Sequence, residues 1–162
     1  MAFSGTVGAT VEAVNLGVPA IAFSGSSGSQ VSYTAAVPSY STVYADLALN
    51  VTQTILGSGT PYLPPGIWLN VNFPASSSTS CSKVSDFKFV LSRIYDAVPL
   101  ISNPSDVTTC GSDRLPSETK VVGTSGCYAS ISVGNASNKR DASEANQAIV
   151  YAKLKNILSC LP

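Results

Sequence analysis

Ser4-Gly5-Thr6-Val7-Gly8-Ala9, continuing to Leu16-Gly17-Val18-Pro19 and then Ala20-Ile21-Ala22-Phe23-Ser24, decides the fold. Val7 to Leu16 reads as a helix. Gly17-Val18-Pro19 stops it, since glycine accepts the left-handed turn after a helix and proline cannot continue one. Ala20 to Ser24 is a short apolar run suited to a buried strand. A polar loop, Gly25-Ser26-Ser27-Gly28-Ser29-Gln30, follows. Helix, strand and loop in this order are the later part of a βαβ unit, whose first strand is expected ahead of Met1. The corner Ser4-Gly5-Thr6 allows two readings. Its hydroxyls can cap the helix. Equally, the free N–H groups of a helix start, a glycine and two hydroxyls can cradle an anion such as phosphate.

Further along, Pro38-Ser39 opens a second helix, with Tyr40, Val43, Leu47, Val51 and Ile55 on one face and Gly57-Ser58-Gly59 as its end. The turn Tyr62-Leu63-Pro64-Pro65-Gly66 feeds a strand from Ile67 to Pro74, where Ile67, Leu69, Val71 and Phe73 alternate with Trp68, Asn70 and Asn72. Ala75 to Ser80 is a serine-rich loop. Asp86 to Tyr95 reads as a strand with Phe87, Phe89 and Leu91 on one face. Residues 97–118 read as irregular and stapled through Cys110. Lys120-Val121-Val122 and Tyr128 to Val133 read as strands around the turn Gly123-Thr124-Ser125-Gly126. Asp141 is expected to cap a final helix, with Glu144 as its capping-box partner, running to about Ser159.

The 162 residues suit one domain spanning 1–162. Nine basic and nine acidic residues balance, with no basic cluster, which argues against a nucleic acid polymer as partner. No apolar run is long enough to cross a bilayer, so no membrane is expected. Cys81, Cys110, Cys127 and Cys160 form no C-x-x-C pair. They allow two disulfides in any of three pairings, or four buried thiols. Low charge, disulfides and the sequons Asn50-Val51-Thr52 and Asn135-Ala136-Ser137 point to a secreted protein, although no leader is visible at Met1-Ala2-Phe3.

Histidine is absent, which excludes a Ser-His-Asp triad, Cys-His catalysis and a histidine-ligated metal. Gly25 to Gly28 lacks the G-x-S-x-G spacing of a nucleophile elbow. No Walker A sequence is present. The carboxylates Glu12, Asp46, Asp86, Asp96, Asp106, Asp113, Glu118, Asp141 and Glu144 are scattered, and none flanks the corner; Glu12 reads as solvated.

Three blocks in order carry a family resemblance. Ser4-Gly5-Thr6-Val7-Gly8-Ala9 through Ser24 closely resembles the SurE family of survival-protein phosphatases and nucleotidases. Leu63-Pro64-Pro65-Gly66-Ile67-Trp68-Leu69-Asn70-Val71-Asn72-Phe73-Pro74 resembles that family's next signature. Thr119-Lys120-Val121-Val122 and Gly126-Cys127-Tyr128-Ala129-Ser130-Ile131-Ser132-Val133 resemble its later strand pair. The Gly25–Gln30 loop and the cysteines are similar to the secreted, fungal-type acid phosphatase branch. The resemblance implies a three-layer αβα, Rossmann-like α/β fold with C-terminal β-hairpin extensions, of which the N-terminal strands and helices are missing here. It implies a hydrolase of phosphate monoesters or nucleotides, assisted by a divalent cation, Mg²⁺ or Mn²⁺, whose ligands this chain does not match. Ser4, Gly5 and Thr6 carry over as phosphate-binding residues; no catalytic and no metal-binding residue does. Asn70 and Asn72 are read as structural. A C-terminal part inactive alone is the expectation. A non-enzymatic secreted module binding anions or a partner is the alternative. Loss of central strands would leave Ala20–Ser24 with an unpaired side, which predicts a homo-oligomer.

Overall fold

The computed structural model describes residues 4–96 and 105–162. Residues 97–104, within the segment read as irregular, lie outside the described residues. The element order is α1 (Gly5–Asn15), β1 (Ile21–Gly25), α2 (Ser39–Gly57), β2 (Ile67–Phe73), a 3-10 turn (Val84–Asp86), β3 (Lys88–Ser92), α3 (Glu118–Gly123), β4 (Tyr128–Asn135), β5 (Arg140–Asp141) and α4 (Glu144–Leu154). The sheet runs β1-β2-β4-β3, and β5 adds to the end of β4. β1 is parallel to β2, β4 is antiparallel to β2, and β3 is parallel to β4. Helices cover both faces of this mixed sheet, which is the expected α/β architecture. The antiparallel pairing of β4 with β5, Gly134 opposite Asp141, supplies the hairpin extension.

Helix α2 lays Val43, Leu47, Val51 and Ile55 against Ile67, Leu69, Val71 and Phe73 of β2, and α4 adds Val150 and Leu154 to the same core. On the opposite face, Val7, Val11 and Val14 of α1 pack on Ala22 and Trp68. The alternation in β2 suggests one apolar and one polar face. Instead Trp68 is fully buried, because α1 roofs the second face. Gly17, with φ +82°, closes α1. Its N–H donates to Val14 C=O at 3.0 Å and the Val18 N–H donates to Ala13 C=O at 2.9 Å, the paired bonds of a glycine-terminated helix.

Trp68 sits directly opposite Gly134 of β4. A β-carbon at Gly134 would fall onto the indole, with Cζ2 and Nε1 both at 2.6 Å. Gly134→Ala must therefore displace a fully buried ring. The expected loss is about 1–3 kcal/mol, the usual range for overpacking, read as a lower urea midpoint at unchanged slope. An unchanged midpoint would mean that the α1 layer yields without cost.

Several local expectations are corrected. Helix α1 begins at Gly5, not Val7, so Gly5 and Thr6 belong to its first turn. Lys120-Val121-Val122 is not a strand but the middle of α3. Ser117 is extended and its Oγ accepts from Lys120 N–H at 3.4 Å. Val121 is buried against the sheet, so a cap and one buried contact outweigh the β-branched preference. Asp141 does not cap α4: Ser143 does, accepting from Asn146 N–H, while the Asp141 carboxylate takes the N–H groups of Ile94 at 2.6 Å and Tyr95 at 3.3 Å. Helix α4 stops at Leu154, ahead of Ser159. The strand read from Asp86 to Tyr95 is shorter, Lys88–Ser92, because Val84–Asp86 turns and Arg93 leaves β4 for a bridge to Ser117. Two disulfides form, Cys81–Cys127 and Cys110–Cys160.

Candidate functional site

The three site residues from sequence stand together at the start of α1. Ser4 is the N-cap, extended at φ −82° and ψ 114°. Its Oγ accepts from Val7 N–H at 3.3 Å and its carbonyl from Gly8 N–H at 2.9 Å. The first satisfies one of the four donors that a helix start leaves over, and the second is the first intrahelical bond. The N–H groups of Gly5 and Thr6, on exposed residues, have no partner among the described residues. Among the described residues, nothing outside the neighbouring residues and the helix's own backbone lies within 4 Å of where a β-carbon on Gly5 would sit. Among the described residues the corner is therefore open, not buried under apolar side chains. Behind it, Val7 anchors the helix in the core, and Thr10 Oγ1 donates to Thr6 C=O at 2.9 Å. Ser4 thus serves as a cap, while the two following amides stand at the positive end of the helix dipole with no partner among the described residues.

The Gly25–Gln30 loop is pinned rather than reactive. Ser26 Oγ donates to Phe73 C=O and Ser27 Oγ to Ser76 C=O, both at 2.9 Å. Ser27 N–H donates to the Tyr44 hydroxyl, which donates in turn to Pro74 C=O at 2.8 Å. Gly25 allows this, since a β-carbon there would meet Tyr44 Cδ2 at 2.7 Å. Both serine hydroxyls are spent on joining the ends of β1 and β2. Glu12 is exposed, as expected. Among the described residues, no three His, Cys, Asp or Glu side chains gather where they could hold a metal ion.

The sequence reading missed a polar seam between α3 and the sheet. Asn70 Nδ2 donates to Glu118 Oε1 at 2.7 Å, Asn72 Nδ2 donates to Ser130 Oγ at 3.4 Å, and Ser92 and Ser132 share a hydroxyl bond of 2.7 Å. The signal was present: Asn70 and Asn72 alternate in β2, and Ser130 and Ser132 in β4, at paired register positions. Their carboxylate partner was hidden by the strand assigned over its helix. Burial raises the Glu118 carboxyl above its ordinary 4.5, against hydrogen bonds from Asn70, Ser132 and Asn72 that lower it. A raised folded value means that, above pH 4.5, the folded chain keeps a proton that the unfolded chain has lost. Stability from this group is complete below 4.5 and falls as pH rises through the folded value. Glu118→Gln should flatten that fall in a stability-against-pH series. Part of the slope should persist, because burial also raises Asp141. An unaltered profile would exclude Glu118 as its source.

A mixed sheet between two helical layers, with an open helix start on one layer, defines a three-layer α/β protein. The family model described as Survival protein SurE matches residues 1–95, more than half of the chain, and the chain belongs to this family. It is 43% identical over 74 residues to the 5'-nucleotidase SurE 1 of Thermus thermophilus, covering 45% of this chain and 25% of that protein. It is 31% identical over 156 residues to an acid phosphatase of Yarrowia lipolytica, covering 80% of this chain and 43% of that protein. The chain thus spans less than half the length of the curated relatives it matches.

Proposed function

We propose that residues 1–162 form one domain that supplies the phosphate-capturing part of a phosphoric monoester hydrolase acting on nucleotides or related esters. The observation that carries this reading is the open start of α1, with two amides left over, in a chain of the SurE family. The named activities of the two relatives, 5'-nucleotidase and acid phosphatase, support the substrate class. Gly5 and Thr6 N–H and the Thr6 hydroxyl hold the phosphate oxygens, and Ser4 fixes the turn. Among the described residues no three His, Cys, Asp or Glu side chains gather, and the task we assign to this chain is phosphate capture alone. Secretion fits the two disulfides. Self-association fits β1, which among the described residues pairs only with β2. Binding of an anion without hydrolysis is the second reading, resting on the same corner without further catalytic equipment.

Calorimetry with inorganic phosphate and with adenosine 5′-monophosphate tests the corner. Thr6→Val keeps the side-chain shape and removes the hydroxyl. It should weaken binding by about ten- to a hundredfold, the worth of a hydrogen bond to a charged group, with the urea midpoint unchanged. Equal affinity in both forms, or no saturable binding at all, would remove the corner from the function. Hydrolysis of p-nitrophenyl phosphate with Mg²⁺ or Mn²⁺ separates the two readings: turnover lost in Thr6→Val supports the hydrolase, and binding without turnover supports the anion module.

A further inference from the structure

The chain holds two tripeptides with the spacing of an N-glycosylation acceptor, Asn50-Val51-Thr52 and Asn135-Ala136-Ser137. The fold presents them in opposite ways. Asn50-Val51-Thr52 lies inside α2. Side chains two apart on a helix do not face each other, so the Asn50 carboxamide and the Thr52 hydroxyl diverge. The hydroxyl is also engaged, donating to Ala48 C=O at 2.8 Å. Val51, between them, is fully buried.

Asn135-Ala136-Ser137 ends β4 and opens the turn to β5. Here the carboxamide and the hydroxyl meet. Asn135 Oδ1 accepts from Ser137 N–H at 2.9 Å and from Ser137 Oγ at 2.8 Å. A backbone N–H can only donate, so the atom it meets is the carboxamide oxygen, and Nδ2 lies on the other side. Nδ2 has no hydrogen-bond partner among the described residues. Among those residues the buried side-chain nitrogen without a bond is Trp68 Nε1, so Asn135 Nδ2 reaches solvent. The turn beyond it, residues 137–140, is exposed. Its base is fixed: Lys139 N–H donates to Asn135 C=O and Ala136 N–H to Gly66 C=O, both at 2.9 Å.

We infer that Asn135 is a site of N-linked glycosylation and that Asn50 is not. The donor is of the lipid-linked oligosaccharyl diphosphate class. Asn135 Nδ2 forms a bond to the anomeric carbon of the first sugar, and the bond from that carbon to the diphosphate oxygen breaks. The diphosphate leaves with the bonding electrons, and Nδ2 gives up one proton. Two hydrogen bonds on Oδ1 draw density from the nitrogen and ease that loss. At Asn50 the hydroxyl and carboxamide could be brought together only by unwinding α2 and pulling Val51 out of the core. The inference rests on the secretory reading above and uses none of Ser4, Gly5 or Thr6.

The test imposes the secretory route, so that its failure is distinct from a failure of the secretory reading, which the location of the natural chain decides. The full chain is expressed in yeast behind a cleavable leader, and the secreted protein is treated with peptide N-glycosidase in heavy-oxygen water. Each asparagine that carried sugar then becomes a mass-labelled aspartate. Label is expected at Asn135 and not at Asn50. It should be lost in Ser137→Ala, which keeps the backbone bond to Oδ1, persist in Ser137→Thr, and be unchanged by Asn50→Gln. Should a variant not be secreted, the oxidised chain made without sugar is incubated with solubilised oligosaccharyltransferase and its lipid-linked donor, where sugar on Asn135 alone is again expected. No label at Asn135, label at Asn50 in equal or greater amount, or label at Asn135 that survives Ser137→Ala would each overturn the assignment.

Discussion

With Cys81, Cys110, Cys127 and Cys160 all replaced by alanine, the chain is expected to lose most of its folding free energy. The bridges join residues 46 and 50 positions apart. Closing loops of that length removes chain entropy worth about 4 kcal/mol each at 25 °C. The loops overlap between residues 110 and 127, so the two effects fall somewhat short of additive. Their sum still rivals the whole stability of an ordinary domain, about 5–15 kcal/mol. The bridges also differ in position. Cys81 is buried and ties the loop after β2 to the start of β4, whereas Cys110 and Cys160 are exposed and tie the 105–115 segment to the C-terminal tail. Mild dithiothreitol should open the exposed Cys110–Cys160 first, with a large drop in urea midpoint, and Cys81–Cys127 later, with loss of cooperative unfolding. Mass spectrometry of alkylated thiols gives the order. A reduced chain with an unchanged midpoint would mean that packing alone holds the sheet.

How far the fold could be read in advance depends on whether each signal was local. The α1 stop at Gly17, the buried stripe Val43–Leu47–Val51–Ile55 and the alternation Ile67–Leu69–Val71–Phe73 are written in consecutive spacings, and all three elements form where those spacings place them. The burial of Trp68 is not local, because it depends on α1 crossing the second face of the sheet. Lys120-Val121-Val122 misleads because strand preference is weak over three residues, and a serine cap with one buried valine overrides it. The Ser4-Gly5-Thr6 corner was legible because a helix start is a local event. The Glu118 seam was not, since its members come from β2, α3 and β4 and meet only after the sheet has formed. The disulfide pairing was undecided for the same reason: the spacings of four cysteines do not reveal which ends the fold brings together.

Asp106→Ala should be the most damaging single substitution in the described part of the chain outside the cysteines. Asp106 is 2% exposed. Its Oδ1 accepts from Arg93 Nη1 at 2.7 Å and from Gln147 Nε2 at 2.9 Å, and its Oδ2 accepts from Leu115 N–H at 3.0 Å. Arg93 is itself buried and has Asp141 Oδ2 only at 3.6 Å from Nη2, with Tyr95 C=O taking Nε. Removing the Asp106 carboxylate leaves a guanidinium in the interior with one distant counter-charge, and leaves the Leu115 amide without its acceptor. Breaking a buried pair by deleting one partner typically costs about 3–5 kcal/mol, because the surviving charge has lost both water and its partner. The same deletion frees Gln147, whose Oε1 holds the Val107 N–H at 2.9 Å, so α4 and the 105–115 segment should loosen together. Arg93→Met in the same background separates charge from packing. If the damage comes from the stranded cation, the double variant should recover part of the lost midpoint. If the double variant is worse than Asp106→Ala alone, the guanidinium is not the source, and the hydrogen bonds to Leu115 and Gln147 carry the stability instead.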